Sequence, residues 1–252
     1  MDLGIKDKVA LVTGSGRGLG KVIAMKLADE GCRVVVSDVD EEGIEQVTKE
    51  INGSGGIAVG IKCDISNPVE VDSLVKKVSS DWKGVDILVN NAAVLDNLAP
   101  IEKMKDKLWL RDIMINLTGT YYVTKACFSG MKEQKWGRIV SMSSVAGAMG
   151  GFGQASYSAS KGGVTSLMKT LSLEGGRFNI TANSIIGGII RTEAYDIIRE
   201  DMRKRLEKRT VLNRPAKPSE VADVIVYLCS EKASYVTGNE IYVTGGIQLF
   251  TF

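Results

Sequence analysis

The feature that most restricts what this chain can fold into is a junction near its N-terminus. The short apolar run Val9-Ala10-Leu11-Val12 passes directly into Thr13-Gly14-Ser15-Gly16-Arg17-Gly18-Leu19-Gly20. The next segment sets Ile23, Leu27 and Ala28 on one helical face and stops at Gly31. This is a strand, a glycine turn and a helix. Glycines remove the Cβ atoms, so the backbone of such a turn can touch a pyrophosphate held at a helix N-terminus. Gly20-Lys21 also invites comparison with the phosphate loop GxxxxGK[ST]. That pattern fails, because Ser15 stands where a glycine is needed and Val22 where the magnesium-binding hydroxyl should be.

The same alternation continues along the chain. Arg33-Val34-Val35-Val36-Ser37 reads as a second strand and ends in Asp38. A helix over Glu41–Asn52, a strand over Ile57–Lys62, a helix with Val71, Leu74, Val75 and Val78 on one face, and a strand at Ile87-Leu88-Val89 follow. A long helix around Tyr121–Gln134, a fifth strand at Arg138–Met142, a helix carrying Tyr157 and Lys161, a sixth strand at Thr181–Ile186, a helix with Val221, Val224, Ile225 and Leu228 on one face, and a seventh strand at Gly238–Val243 complete the order. Strands alternating with helices imply right-handed crossovers and a mostly parallel, doubly wound sheet covered on both faces. The 252 residues contain no repeat, linker or low-complexity tract, so one α/β domain is expected. Ligands of such sheets sit beyond the carboxyl ends of the strands, the level of Gly14, Asp38, Asp64 and Asn91.

Composition removes several classes of function. There is no histidine, which excludes Ser-His-Asp and Cys-His hydrolysis, zinc sites that need His, and dehydrogenases that use His as the acid. No metal is expected. A net charge of +2 makes no case for nucleic acid or a membrane surface. The charged N-terminal residues lack the apolar stretch of a signal peptide, and no apolar run approaches a membrane span. Cys32, Cys63, Cys127 and Cys229 stand far apart, as free thiols of a reducing cytoplasm would.

Proton chemistry must then rest on another side chain. Tyr157 and Lys161 are four apart in a helical pattern and so leave the same face. A positive charge beside a phenol favours the phenolate. Asp38 is spaced from the glycines as an acceptor for an adenosine ribose, where a carboxylate would repel a 2′-phosphate and favour NAD over NADP. Asp38 and Asp40 also precede a helix, so capping competes with that role, and Arg17 could meet a 2′-phosphate. Ser158-Ala159-Ser160-Lys161 matches the SxxK nucleophile pattern, but no SDN or KTG companion exists.

Together these residues resemble the short-chain dehydrogenase/reductase family over essentially the whole chain. Thr13–Gly20 matches TGxxxGxG, Asn90-Asn91-Ala92 follows the fourth strand, Asn116 stands in the fifth helix, and Ser144 precedes Tyr157-x-x-x-Lys161 by thirteen residues. The resemblance implies a Rossmann fold and hydride transfer between NAD(H) and a secondary alcohol or its ketone. It implies Tyr157 as general acid and base, Lys161 as the group that lowers the phenol pKa and holds the nicotinamide ribose, and Ser144 as donor to the substrate oxygen. Asn116 would hold a water linking Lys161 to solvent. Two alternatives stay open: Asn116 could only brace a helix, and Ser143 rather than Ser144 could face the site.

For the dinucleotide, the resemblance assigns Gly14, Arg17, Gly18, Leu19 and Gly20 to the pyrophosphate and adenosine side. It gives Asp38 the adenine ribose, Asp64 and Ile65 the flanks of the adenine, Asn91 the adenosine end, and Ile190 and Thr192 the carboxamide. A homotetramer or dimer formed through the two long helices flanking the fifth strand is implied, with a substrate loop at about 187–213. Three positions depart from the family pattern: Ala93 replaces a glycine, Gly187 a proline, and Thr244 an aspartate. The alternatives for function are an NADP-dependent reductase of 3-oxoacyl thioesters, whose carrier phosphate the basic run Arg203–Arg209 could meet, and a non-catalytic dinucleotide sensor.

Overall fold

The computed structural model describes residues 2–196 and 198–249. Seven strands form one sheet in the order β3-β2-β1-β4-β5-β6-β7: β1 (Val9–Thr13), β2 (Arg33–Asp38), β3 (Ile57–Lys62), β4 (Ile87–Asn90), β5 (Gly137–Ser144), β6 (Ile180–Gly187) and β7 (Glu240–Val243). Every pairing is parallel. Such a sheet must be buried on both faces, and its strands show it. Ala10, Val12, Val34, Val36, Ile87, Val89 and Val140 enter one core, while Val9, Leu11, Val35, Leu88 and Ile139 enter the other. This is the period of two at work, with successive side chains leaving on opposite faces.

Helices α1 (Gly18–Asp29) and α2 (Glu41–Gly53) cover the first face through Ile23, Leu27, Ile44 and Val47. The opposite face is covered by α3 (Pro68–Trp82) and by a long rod that changes pitch halfway. The rod begins as α4 (Asp106–Ile113), widens into a π-helical turn over Met114–Gly119, and resumes as α5 (Thr120–Gln134). Asn116 therefore sits in a π turn rather than in a regular helix. Such turns displace one residue from the helical register and often mark functional sites. After β5, α6 (Val145–Met149) occupies a Gly- and Ala-rich stretch, and α7 (Ala155–Gly175) carries Tyr157 and Lys161. Short helices α8 (Glu193–Asp196) and α9 (Glu200–Glu207) follow β6. Helix α10 (Pro218–Leu228) returns to pack on α1, burying Val221 and Ile225 in the first core. No helix among the described residues is long and apolar enough to cross a membrane.

Strand order fixes where a ligand can enter. The chain leaves β1 for β2 on one side and resumes at β4 on the other, so a crevice opens above the carboxyl ends of β1 and β4. The glycine turn, Asp38, Asn91 and Ser144 all lie at that edge of the sheet.

Candidate active site

The glycine turn is built for close approach. Gly14 has φ 63° and Gly18 φ 58°, both in the left-handed region that favours glycine. A Cβ on Gly20 would stand 2.1 Å from the Gly14 carbonyl oxygen, so that position admits no side chain. The turn is clamped to the neighbouring strand by Asn91, whose Nδ2 donates to the carbonyls of Thr13 (3.1 Å) and Gly14 (2.9 Å). Thr13 Oγ1 returns the contact by accepting from the backbone N–H groups of Asn91 (3.1 Å) and Ala92 (3.2 Å). Sequence reasoning passed over Thr13, although it opens the motif that was quoted.

The first turn of α1 has no acidic residue, and Arg17 at its N-cap makes no capping bond through its side chain. Those N–H groups thus keep the partial positive charge of a helix N-terminus available to an anion. Asp38 closes the far end of the turn. Its Oδ2 accepts from Gly16 N (2.9 Å), and its Oδ1 from the N–H groups of Val39 (2.7 Å) and Asp40 (3.2 Å). An anion-binding turn beside a carboxylate fits a dinucleotide, with pyrophosphate at the helix and a ribose diol at Asp38. Asp64 Oδ1 accepts from the backbone N–H (2.9 Å) and hydroxyl (2.7 Å) of Ser66, which holds the turn after β3. Ile65 is buried against the π turn, where a Cβ on Gly119 would meet it at 2.8 Å.

Next to this turn lies a cavity of about 160 Å³ lined by residues that include Asn91, Ala93, Ser144, Tyr157, Lys161 and Ile190. A larger shallow groove, about 600 Å³, runs between α2 and the edge strand β3. It holds none of the candidate site residues, so size alone does not locate the chemistry.

The two serines at the end of β5 take different roles because neighbouring strand residues point to opposite faces. Ser143 is buried, donates to the Lys161 carbonyl (2.9 Å) and accepts from Thr165 Oγ1 (2.9 Å). Its hydroxyl is committed to the β5–α7 junction. Ser144 is half-buried, accepts from Ala146 N (3.1 Å) as the N-cap of α6, and keeps its own proton for the cavity. Lys161 is buried, and its Nζ donates to the Met142 carbonyl (2.7 Å) at 5.8 Å from the Tyr157 ring centre. Burial pushes the ammonium down to about 8.

Tyr157 moves the other way. Burial raises its phenol above the usual value, and the Ser144 hydroxyl opposes this. The expectation that Lys161 depresses the phenol is therefore not met in the free protein. Desolvation is the leading cause at Tyr157 and the cause of the fall at Lys161.

Asn116 is fully buried and brackets one residue of the loop after β4: Oδ1 accepts from Val94 N (2.8 Å) and Nδ2 donates to Val94 O (3.0 Å). Its side chain braces the loop after β4. Asp112, one turn earlier, was passed over entirely. It is a lone acid on the buried side of α4, and it accepts from Ser156 Oγ at 2.6 Å.

The segment after β6 lies over both compartments. Gly187 is a regular strand residue paired with Ser144 and Val243, so the proline it replaces leaves no looseness there. Gly188 is tightly held, since a Cβ would stand 2.8 Å from Thr244 Cα. Ile190 pairs with Ala216, and Thr192 and Glu193 reach Gly18, whose added Cβ would meet them at 3.7 and 3.4 Å. Ala93 has no positive φ, which is why alanine is tolerated in place of glycine. Thr244 is buried and hydrogen-bonds Gln248.

Comparison with known proteins agrees with this geometry. The family profile described as "Enoyl-(Acyl carrier protein) reductase" matches residues 14–248. The (2S)-[(R)-hydroxy(phenyl)methyl]succinyl-CoA dehydrogenase subunit BbsD of Thauera aromatica is 36% identical over 98% of this chain and 99% of its own. The 3-oxoacyl-[acyl-carrier-protein] reductase FabG of Aquifex aeolicus is 36% identical over 98% of this chain and all of its own, and that of Escherichia coli 33% over the same shares. The crystal structure of gox2181 superposes with a TM-score of 0.96 at 30% identity, covering 99% of this chain and 98% of that one.

The fold and site define a nicotinamide-dependent oxidoreductase that moves a hydride between its dinucleotide and the carbon of an alcohol or ketone. The chain belongs to the short-chain dehydrogenase/reductase family.

Proposed function

We propose that this enzyme interconverts a secondary alcohol and its ketone with NAD(H), through Tyr157 as the group that gives and takes the proton. The observation that carries the reading is the convergence of Tyr157, Ser144 and Lys161 on one cavity beside the glycine turn. The dinucleotide supplies and accepts the hydride. As a ketone is reduced, negative charge grows on its oxygen, and Ser144 and Tyr157 donate to it where it develops. Tyr157 then delivers its proton, and in oxidation it takes the proton back. Lys161, held by the Met142 carbonyl, titrates close enough to neutral pH to exchange a proton with the phenol. The two behave as a pair whose apparent pKa values belong to the site. Asn116 keeps the loop after β4 at the cavity wall through Val94.

Gly14, Arg17, Gly18, Leu19 and Gly20 hold the pyrophosphate end, Asp38 the adenine ribose, Asp64, Ile65 and Asn91 the adenosine side, and Ile190 and Thr192 the carboxamide. The Asp38 carboxylate supports NAD over NADP, because a 2′-phosphate beside it would be repelled. The chain acts as a single domain of residues 1–252 with its substrate loop at 187–213, in the cytoplasm, as a homotetramer or dimer. A second reading is favoured by similarity to BbsD and FabG: the carbonyl belongs to a 3-oxoacyl thioester of coenzyme A or acyl carrier protein.

Replacing Tyr157 with Phe tests the mechanism. Turnover of a screened alcohol or ketone, followed at the NADH absorbance, should vanish while NADH binding remains measurable; undiminished turnover would refute the assignment. Steady-state efficiency with NADPH equal to or above that with NADH would refute the role given to Asp38. The same assay run on acetoacetyl-CoA and on simple ketones separates the two substrate readings.

A further inference from the structure

A cluster of charges outside the cavity is tied to the catalytic helix. Asp112 is 2% exposed, the buried residue of α4. Its Oδ1 accepts from Arg111 Nε (3.1 Å) and Nη2 (2.8 Å), and its Oδ2 from Ser156 Oγ (2.6 Å) and Asn97 Nδ2 (3.4 Å). Arg111 also pairs with Asp96. One carboxylate thus joins three segments: the loop after β4 through Asn97, the α4 rod through Arg111, and the first turn of α7 through Ser156.

A buried carboxylate is costly unless it is paired and fully hydrogen-bonded, and this one is both. The Ser156 contact is a short, buried hydroxyl hydrogen bond. What it anchors matters, because α7 lacks the usual N-terminal devices. Gln154 at its N-cap makes no side-chain capping bond, and its first turn contains no acidic residue. A negative charge near that end is favourable to the helix, and Asp112 supplies it from a neighbouring element.

We infer that Asp112 is a positioning residue for the reaction: by holding Ser156 it sets the rotation and height of α7, and with them the place of Tyr157, the next residue along. Asn116, four residues further on the same rod, holds Val94, so the rod fixes the loop after β4 and the catalytic helix together. The inference rests on Tyr157 being the proton donor and acceptor.

Ser156→Ala is the decisive variant, because it removes a single oxygen and leaves Asp112 with Arg111 and Asn97. Its melting temperature should fall only by the few degrees that losing one buried hydrogen bond costs, and its dinucleotide Kd should stay close to that of the parent. Its kcat should fall about tenfold or more, as expected for a displaced reacting group. The solvent isotope effect on kcat should rise as proton transfer becomes limiting. Asp112→Asn combined with Ser156→Ala should lose no more than the worse single variant, since both act through one contact. A smaller fall in kcat for Ser156→Ala, or losses that add in the double variant, would overturn the inference. Tyr157→Phe in the same assay separates this from failure of the tyrosine assignment, which would leave that variant active.

Discussion

Lys161, proposed to serve the reaction, is destabilising for the fold, and the conflict can be measured. Its ammonium falls from the ordinary 10.5 to about 8 through burial, and the side chain is only 3% exposed. That fall corresponds to roughly 3 kcal/mol of unfavourable burial of the charged form. Replacing Lys161 with Met removes the charge and keeps an unbranched chain in the space. The Met142 carbonyl loses its donor, at a cost of about 1 kcal/mol. The variant should therefore be about 2 kcal/mol more stable than the parent at pH 7, or roughly 4–8 °C in melting temperature for a domain of this size.

The difference must also depend on pH. Below about pH 8 both the folded and unfolded parent carry the charged lysine, and the penalty is fully present. Between about 8 and 10.5 the folded parent has lost the proton while the unfolded chain keeps it, so the parent gains stability and the gap closes. Cys32, Cys63 and Cys127, pushed up to about 12 by burial, act oppositely, since the unfolded thiols ionise first and absolute stability falls. They are common to both proteins and cancel in the difference. Urea unfolding of the two proteins at pH 7 and pH 10, at one protein concentration, measures the gap. A Lys161→Met variant less stable than the parent at pH 7, or a gap of equal size at both pH values, would refute the reasoning.

Two further outcomes follow from the site. Ser144→Ala should lower kcat by about 10²-fold, as loss of a donor to a developing oxyanion does; Ser143→Ala should chiefly lower thermal stability, by about 1 kcal/mol, and equal kinetic losses would contradict the separation of their roles. Gly20→Ala should cost about 3 kcal/mol or more, because its Cβ would overlap the Gly14 carbonyl oxygen, and a melting temperature unchanged from the parent would show that the turn can yield.

Much of this was legible in the residues. The bounds of β3 were read correctly because a glycine-rich turn precedes Ile57 and the apolar pattern stops at Lys62. The thirteen-residue spacing to Tyr157 favours Ser144 over Ser143, and the inward hydrogen bonds of Ser143 support the same choice. The π turn at Met114–Gly119 left no local sign, since its residues suit an α-helix equally well and the extra residue is accommodated by packing against Ile65 and α7. Helix α6 leaves little sign because five residues are too few to show a helical period, and a helix this short relies on the Ser144 cap. The direction of the Tyr157 shift was read from charge proximity, whereas burial dominates, and burial belongs to the assembled sheet and helices rather than to a four-residue spacing.

The reach of Thr192 and Glu193 to Gly18 has a kinetic consequence. Two side chains that follow β6 thus stand beside the glycine turn, so whatever occupies the turn also meets Thr192 and Glu193. Binding should be sequential, with the dinucleotide first in and last out; product-inhibition patterns of a random order would contradict this.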